Sequence, residues 1–386
     1  MKRKVLALIL TGAMAFSMAA CGEKEETTST TTDKTENTDN TDAADAADAD
    51  DTATDNEGGS GDYSDIKIQV VAKGFQHDFW KAVKLGAQQA GEDLGLKENP
   101  ADNFVGPKSE TDVAEQVEQI KNAINKKPDA ICLAALDTAA SLDPINQAMA
   151  AGIPIVGFDS GVPDAPEGAV VANAATDNYE AGSMAADEMY ELIKDKITDP
   201  ADTVRIGVIS QEANSQSIVD RTQGFLDRMV ELVGEGKIAI EGHDKFNLKA
   251  DGAKVIMEVG IPANVQDAEC VTVAQKILGK KDLVAVYGSN EFANKNIITA
   301  NQNLNVLGKD KVIAVGFGSG KLQLDAVRSG VYAGAITQNP VQIGYKAVEL
   351  AVKAAAGEPV EDVDTGCLYY TAENMDSEEI APCLYE

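Results

Sequence analysis

The chain has 386 residues, 44% of them hydrophobic, which is enough for two domains with packed cores and excludes a wholly disordered or fibrous protein. A net charge of −30 leaves nothing to neutralise phosphates, so nucleic acid is excluded as a partner. Two histidines and cysteines without paired short spacing give no reason to expect a metal or other cofactor, and the glycine-rich run Gly316 to Gly320 lacks the lysine and spacing of a phosphate cradle.

Met1 to Lys4 is basic, Val5 to Met18 is apolar but too short for a comfortable membrane span, and Ala19 and Ala20 are small, so residues 1–20 read as a secretion signal. Small residues before Cys21 and a glycine after it resemble a bacterial lipoprotein cleavage box. That resemblance implies a lipidated Cys21 and an extracytoplasmic protein anchored by lipid to the outer face of the cell membrane. Residues 21–65 are mostly Thr, Asp, Glu, Ala and Asn, with a charge of about −13, and cannot bury enough surface to offset their ordering entropy. A disordered acidic tether is expected there, extended by its own repulsion. Of the other four cysteines, Cys132 lies in the apolar run Ala130 to Ala135 and reads as a buried thiol. Cys367 and Cys383 can pair near the end of the sequence, a question that spacing leaves open.

From Ile66 onward short apolar strands alternate with helices. Ile66 to Ala72 reads as a strand, and Asp78 to Leu94 as a helix with Val83, Leu85, Ala87 and Ala90 on one side. A short strand ends at Val105. Ser109 is the expected N-cap of a helix running to Asn125, with Asp112 favouring its start. Strands at Asp129 to Ala135 and Ile153 to Phe158 flank a helix at Ser141 to Ala150. The rhythm then restarts: helices at 177–193, 220–233, 264–278 and 294–302 alternate with strands at 203–210, 283–288 and 312–317, and either 237–241 or 255–259 supplies one more. A last helix, Gln342 to Ala355, precedes a strand at Cys367 to Thr371. Near-continuous apolar strands separated by helices predict an α/β protein of two doubly wound parallel sheets.

Several short motifs, in this order and spacing, resemble the type I periplasmic sugar-binding proteins related to ribose- and galactose-binding proteins. They are Gln76-His77-Asp78-Phe79-Trp80 with Gly86-Ala87, Gly152 to Asp159, Ala175 to Asn178, Arg221 with Gly224-Phe225, Ser289-Asn290-Glu291, Val315-Gly316-Phe317, and Gln338 with Gln342-Ile343-Gly344. The resemblance covers about Ile66 to Thr371. It implies the type I periplasmic-binding-protein fold, two lobes joined by a three-segment hinge crossing near Thr176, Gln338 and Gly366. Residues 66–175 with 339–365 would form the N-terminal lobe, and 176–338 with 366–386 the C-terminal lobe. The segment 242–252 is longer than in the simplest relatives.

The same resemblance implies the site. Phe79 and Trp80 would stack on the apolar faces of a sugar ring, and His77 would bond its hydroxyls. Asp159 matches a ligand-gripping aspartate, and Lys73 reaches the same cleft. Ser160 stands where ribose-type proteins carry arginine. Arg221, Asn290 and the hinge residue Gln338 would donate from the other side. Gly318-Ser319 departs from the aspartate that many relatives carry after the Gly-Phe pair, which implies a different hydroxyl pattern. The implied function is capture of a monosaccharide or sugar-like ligand, with no catalysis, by a monomer that delivers it to an ABC transporter permease. The alternative is a sensor that presents a sugar or furanosyl signal to a membrane receptor.

Overall fold

The computed structural model describes residues 62–75 and 77–385. The expected signal segment, Cys21, the tether as far as residue 61, Gln76 and Glu386 lie outside the described residues. In chain order the elements are β1 (Ile68–Val71), α1 (Asp78–Asp93), β2 (Phe104–Val105), α2 (Val113–Asn125), β3 (Ala130–Leu133), α3 (Thr138–Ala150), β4 (Ile155–Phe158) and β5 (Val170–Ala175). The second half holds α4 (Asn178–Ile197), β6 (Val204–Ile209), α5 (Gln216–Val233), β7 (Ile238–His243), β8 (Phe246–Leu248), β9 (Val255–Gly260), α6 (Asp267–Leu278), β10 (Leu283–Gly288), α7 (Glu291–Leu304), β11 (Ile313–Phe317), α8 (Lys321–Arg328) and β12 (Gly334–Gln338). Then come α9 (Pro340–Ala355), β13 (Val363–Asp364) and β14 (Cys367–Tyr370).

The strands form two sheets, β13-β5-β4-β3-β1-β2 and β14-β12-β11-β10-β6-β9-β7-β8. Pairing is parallel except where β14 meets β12 and where β7 meets β8. Both faces of each sheet are covered, which is why the central strands β1, β3, β4 and β11 are buried along their whole length. In the first lobe α1 and α9 cover one face around Val83, Ile343 and Val348, while Ile120 and Ile145 of α2 and α3 cover the other. The second lobe repeats the plan, with Phe225 and Met189 of α4 and α5 on one face and Ile277, Ile297 and Leu324 on the other.

The chain passes between the sheets three times, after β5, after β12 and between β13 and β14. The three crossings are bonded to one another. Thr176 Oγ1 donates to Gly366 O at 3.0 Å and accepts from Gln338 Nε2 at 3.2 Å. The three crossings thus meet at one threonine side chain.

Glycines in the sequence motifs prove to be helix contacts. A Cβ on Gly86 of α1 would stand 1.9 Å from Val341 O, and one on Gly344 of α9 1.9 Å from Val83 O. In the second lobe a Cβ on Gly224 of α5 would stand 2.0 Å from Tyr179 O. Each lobe thus uses glycine to bring two helices to backbone contact over the sheet.

Several local expectations change. Ser109 does not cap α2; Asp112 does, accepting from Glu115 N at 3.0 Å, while Ser109 closes the turn before it. The helix expected from Ser141 begins at Thr138, capped by Asp137, and that expected from Asn294 begins at Glu291, capped by Asn290. Both 238–243 and 255–260 are strands, and the long segment after Gly242 is the return of a hairpin whose second strand, β8, forms the sheet edge. Tyr63 donates to Glu358 at 2.6 Å and Ser64 O accepts from Lys97 N, so ordered structure starts before Ile66. All four described cysteines are free thiols, and Cys132 is buried, donating to Ala347 O at 3.4 Å.

Candidate ligand-binding site

The carboxyl ends of β1 and β4 in one lobe face those of β6, β10 and β11 in the other, the position where open parallel sheets take ligands. Between them lies a narrow cleft lined by Lys73, His77, Phe79, Trp80, Asp159, Arg221, Asn290 and Gln338 among others. Eight of the nine residues singled out in the sequence therefore converge. Ser160 does not line this cleft. Its hydroxyl meets Ser215 Oγ across the lobes at 3.2 Å and borders a neighbouring hollow instead.

Asp159 ends β4 in the left-handed region, with φ +57°, a conformation that aspartate tolerates better than most residues. That turn aims its carboxylate into the cleft rather than along the strand. The group is 3% exposed, and its ionic partner is Lys73 Nζ at 3.6 Å. Lys73 is itself held by Ser215 Oγ at 2.8 Å and Ser217 Oγ at 3.2 Å, both from the opposite lobe.

Arg221 stands on α5. Its Nε donates to Asn178 Oδ1 at 2.7 Å, one Nη donates to Gln338 Oε1 at 2.9 Å, and the guanidinium lies 3.9 Å from the Phe317 ring centroid. The second Nη has no protein acceptor among the described residues. Burial pulls its pKa below the ordinary value, with Asp159 opposing. Asn290 caps α7 through Ala293 N and donates to Gln211 Oε1 at 2.7 Å. Phe79 and Trp80 meet edge to face at 5.0 Å; Trp80 continues into the core against Phe158, and only 2% of it is exposed.

Four further residues at the cleft carried no signal strong enough to single them out. Glu110, in the loop after β2, accepts from Trp80 Nε1 at 2.8 Å and from Gln211 Nε2 of the other lobe at 3.2 Å. Glu291 sits 3.5 Å from His77 Nδ1, again across the lobes. Ser217 and Tyr385 also line the cleft. The adjacency Asn290-Glu291 in a quoted motif was a usable clue to Glu291; an aromatic near the end of the sequence was not a clue to anything.

His77 and Glu110 titrate in opposite senses. Burial pulls the His77 imidazole down, but the bond to Glu291 and the charges of Glu110 and Glu291 outweigh it, with Lys295 opposing, and hold its pKa above 6.5. Burial pushes Glu110 up, yet His77 and Lys73, then the bonds from Trp80 and Gln211, hold it below 4.5. A raised histidine stabilises the fold fully below its ordinary pKa and loses that contribution as pH rises through the raised value. A depressed carboxylate contributes above its ordinary pKa and loses it as pH falls. Both contributions are complete only between the two ordinary values, 4.5 and 6.5. The melting-temperature gap between wild type and His77→Gln is therefore expected to be widest near about pH 5.5 and to shrink by about pH 9. A gap that stays flat across that range disproves the coupling.

Two doubly wound lobes that close a hydrogen-bonding cleft beneath an aromatic edge define a protein that clamps a small polar molecule. Residues 68–359 match the periplasmic binding protein domain family. The ribose import binding protein of Haemophilus influenzae is 27% identical over 295 residues, 76% of this chain and 87% of that protein. The D-allose-binding periplasmic protein of Escherichia coli is 25% identical over 307 residues, covering 78% and 88%. Among solved structures, an ABC transporter, LacI family transcriptional regulator from Brachyspira murdochii is 37% identical with a TM-score of 0.71, covering 83% of this chain and 99% of that one. A solute-binding protein from Agrobacterium vitis with bound D-fucose is 28% identical with a TM-score of 0.68, covering 82% and 99%. The chain belongs to the periplasmic binding protein family, in its type I sugar-binding branch.

Proposed function

We propose that this chain is an extracytoplasmic solute-binding lipoprotein. It closes its lobes on a monosaccharide or sugar-like ligand and delivers it to an ABC transporter permease, without catalysing a reaction. The observation that carries this reading is convergence from both lobes: Lys73 and Asp159 from one, Arg221 and Asn290 from the other, around a cleft edged by Phe79. Acceptors and donors at that spacing suit the alternating hydroxyls of a sugar, and the aromatic edge suits its C–H faces. The basic, apolar and small-residue sequence before Cys21 supports a lipid anchor, and the acidic stretch after it supports a tether of a monomer to the membrane face.

A ligand that binds only the native state raises apparent stability by about 2.7 kcal/mol at a hundredfold excess over Kd. In a thermal-shift panel of pentoses, hexoses, polyols and furanosyl compounds, at least one monosaccharide is expected to raise Tm by several degrees and to be recovered unchanged. No shift from any saccharide, or turnover of the one that binds, refutes the reading.

A further inference from the structure

The segment after β14 belongs by packing to the second lobe until its final described residue. Met375 and Ile380 are buried in that lobe's core, Leu384 packs against it, and Cys383 O accepts from Thr337 Oγ1 at 3.0 Å. Tyr385 then leaves. Its ring joins the apolar cluster of the first lobe and meets Phe79 edge to face at 5.7 Å, while its hydroxyl accepts from Ser319 N of the second lobe at 3.2 Å. The residue is 9% exposed and is among those that line the cleft.

The loop after β11 is shaped around this ring. Gly318 has φ +104°, and a Cβ there would stand 3.3 Å both from the Tyr385 hydroxyl and from Glu291 Cβ. A side chain at 318 would crowd the phenol and strain a left-handed backbone, so the glycine suits the close approach of the ring. Thr337 ties the same corner together, since its hydroxyl oxygen also lies within bonding distance of Ser319 Oγ, at 3.0 Å.

We propose that Tyr385 is a specificity-determining residue of the cleft, an aromatic wall that seals one side and confines the ligand to a single sugar ring; the sugar part of this rests on the function proposed above. Phe79 and Tyr385 come from different lobes and meet in the structure without a guest, so the wall is in place before binding and sets the length of guest that still permits closure. A longer saccharide would have to displace the ring from Phe79 and break the bond from Ser319.

The test compares wild type, Tyr385→Ala, Tyr385→Leu and Tyr385→Phe in the full chain. Leucine keeps apolar contact with Phe79 if alanine fails to fold; phenylalanine keeps the wall and removes the hydroxyl. Calorimetric titration is run with the best monosaccharide and with disaccharides that contain it. Alanine or leucine is expected to weaken the monosaccharide at least tenfold and to shift the disaccharide-to-monosaccharide affinity ratio at least tenfold towards the disaccharide. Phenylalanine should leave the ratio within threefold. An unchanged ratio in a folded variant overturns the proposal. Acrylamide quenching of Trp80, the single tryptophan, is read on ligand-free protein. Quenching at least twofold greater in the alanine or leucine variant supports the wall even if wild type binds no saccharide, an outcome that sinks only the sugar reading. Quenching equal to wild type overturns the wall whatever the ligand.

Discussion

Asp159→Ala is expected to raise the Kd for the best monosaccharide by about a hundredfold or more. A carboxylate that accepts two hydroxyls forms charge-assisted bonds at about 1.5–3 kcal/mol each, and about 1.4 kcal/mol is a factor of ten. The loss does not end with the ligand. Lys73 is 4% exposed and keeps the two serine hydroxyls and the charge of Glu110 but loses its ion-pair partner, so the closed form also carries a buried charge that is less well compensated. Asp159→Asn separates the effects: asparagine tolerates φ +57° and can still accept, but it lacks charge, so a loss of about tenfold is expected. Calorimetric titration of both variants checks this. An Asp159→Ala affinity within twofold of wild type removes Asp159 from the site.

The second large effect is on stability. Gly344→Ala is expected to destabilise the first lobe by about 2–3 kcal/mol, although glycine to alanine inside an exposed helix stabilises by about 1 kcal/mol. The added methyl would stand 1.9 Å from Val83 O, a backbone atom that cannot rotate aside. Helices α1 and α9 would have to separate along the buried seam of Val83, Ala87, Ile343 and Ala347. The exposed neighbour Gln342, changed to alanine, should stay within about 0.5 kcal/mol of wild type. Chemical denaturation of the two variants decides it. Equal stability would mean that the helices do not meet through this glycine.

Much of this was legible in the chain. Apolar runs at β1, β3, β4, β10 and β11 were readable because a strand buried on both faces has no polar alternation to disguise it. Strands β5 and β12 went unread. The first is half-exposed and rich in alanine and the second opens on glycine, so neither has the β-branched density that marks a strand from sequence. Helix starts were read late at Asp137 and Asn290 because the first turns, Thr138-Ala139-Ala140 and Glu291-Phe292-Ala293, are too short to set an apolar period by themselves.

At the cleft, motif residues on strand ends were foreseen, while their partners were not. Glu110 reads as one more surface carboxylate until α1 brings Trp80 and the second lobe brings Gln211 within bonding distance. Ser160 was foreseen because it stands where ribose-type proteins carry arginine, yet after the left-handed turn at Asp159 it borders only the neighbouring hollow, while Asp159 reaches both.

The amino-acid order by itself determined the alternation of buried strands and helices and the acidic composition of residues 21–65, because periodicity and residue chemistry are local properties; the strand-end residues of the cleft were legible only through the family resemblance. Only tertiary structure decided which charges face one another and what fills the space beside Gly318. Lys73 finds Ser215, His77 finds Glu291 and Tyr385 finds Phe79 across a cleft between two lobes, at separations along the chain that no local pattern encodes.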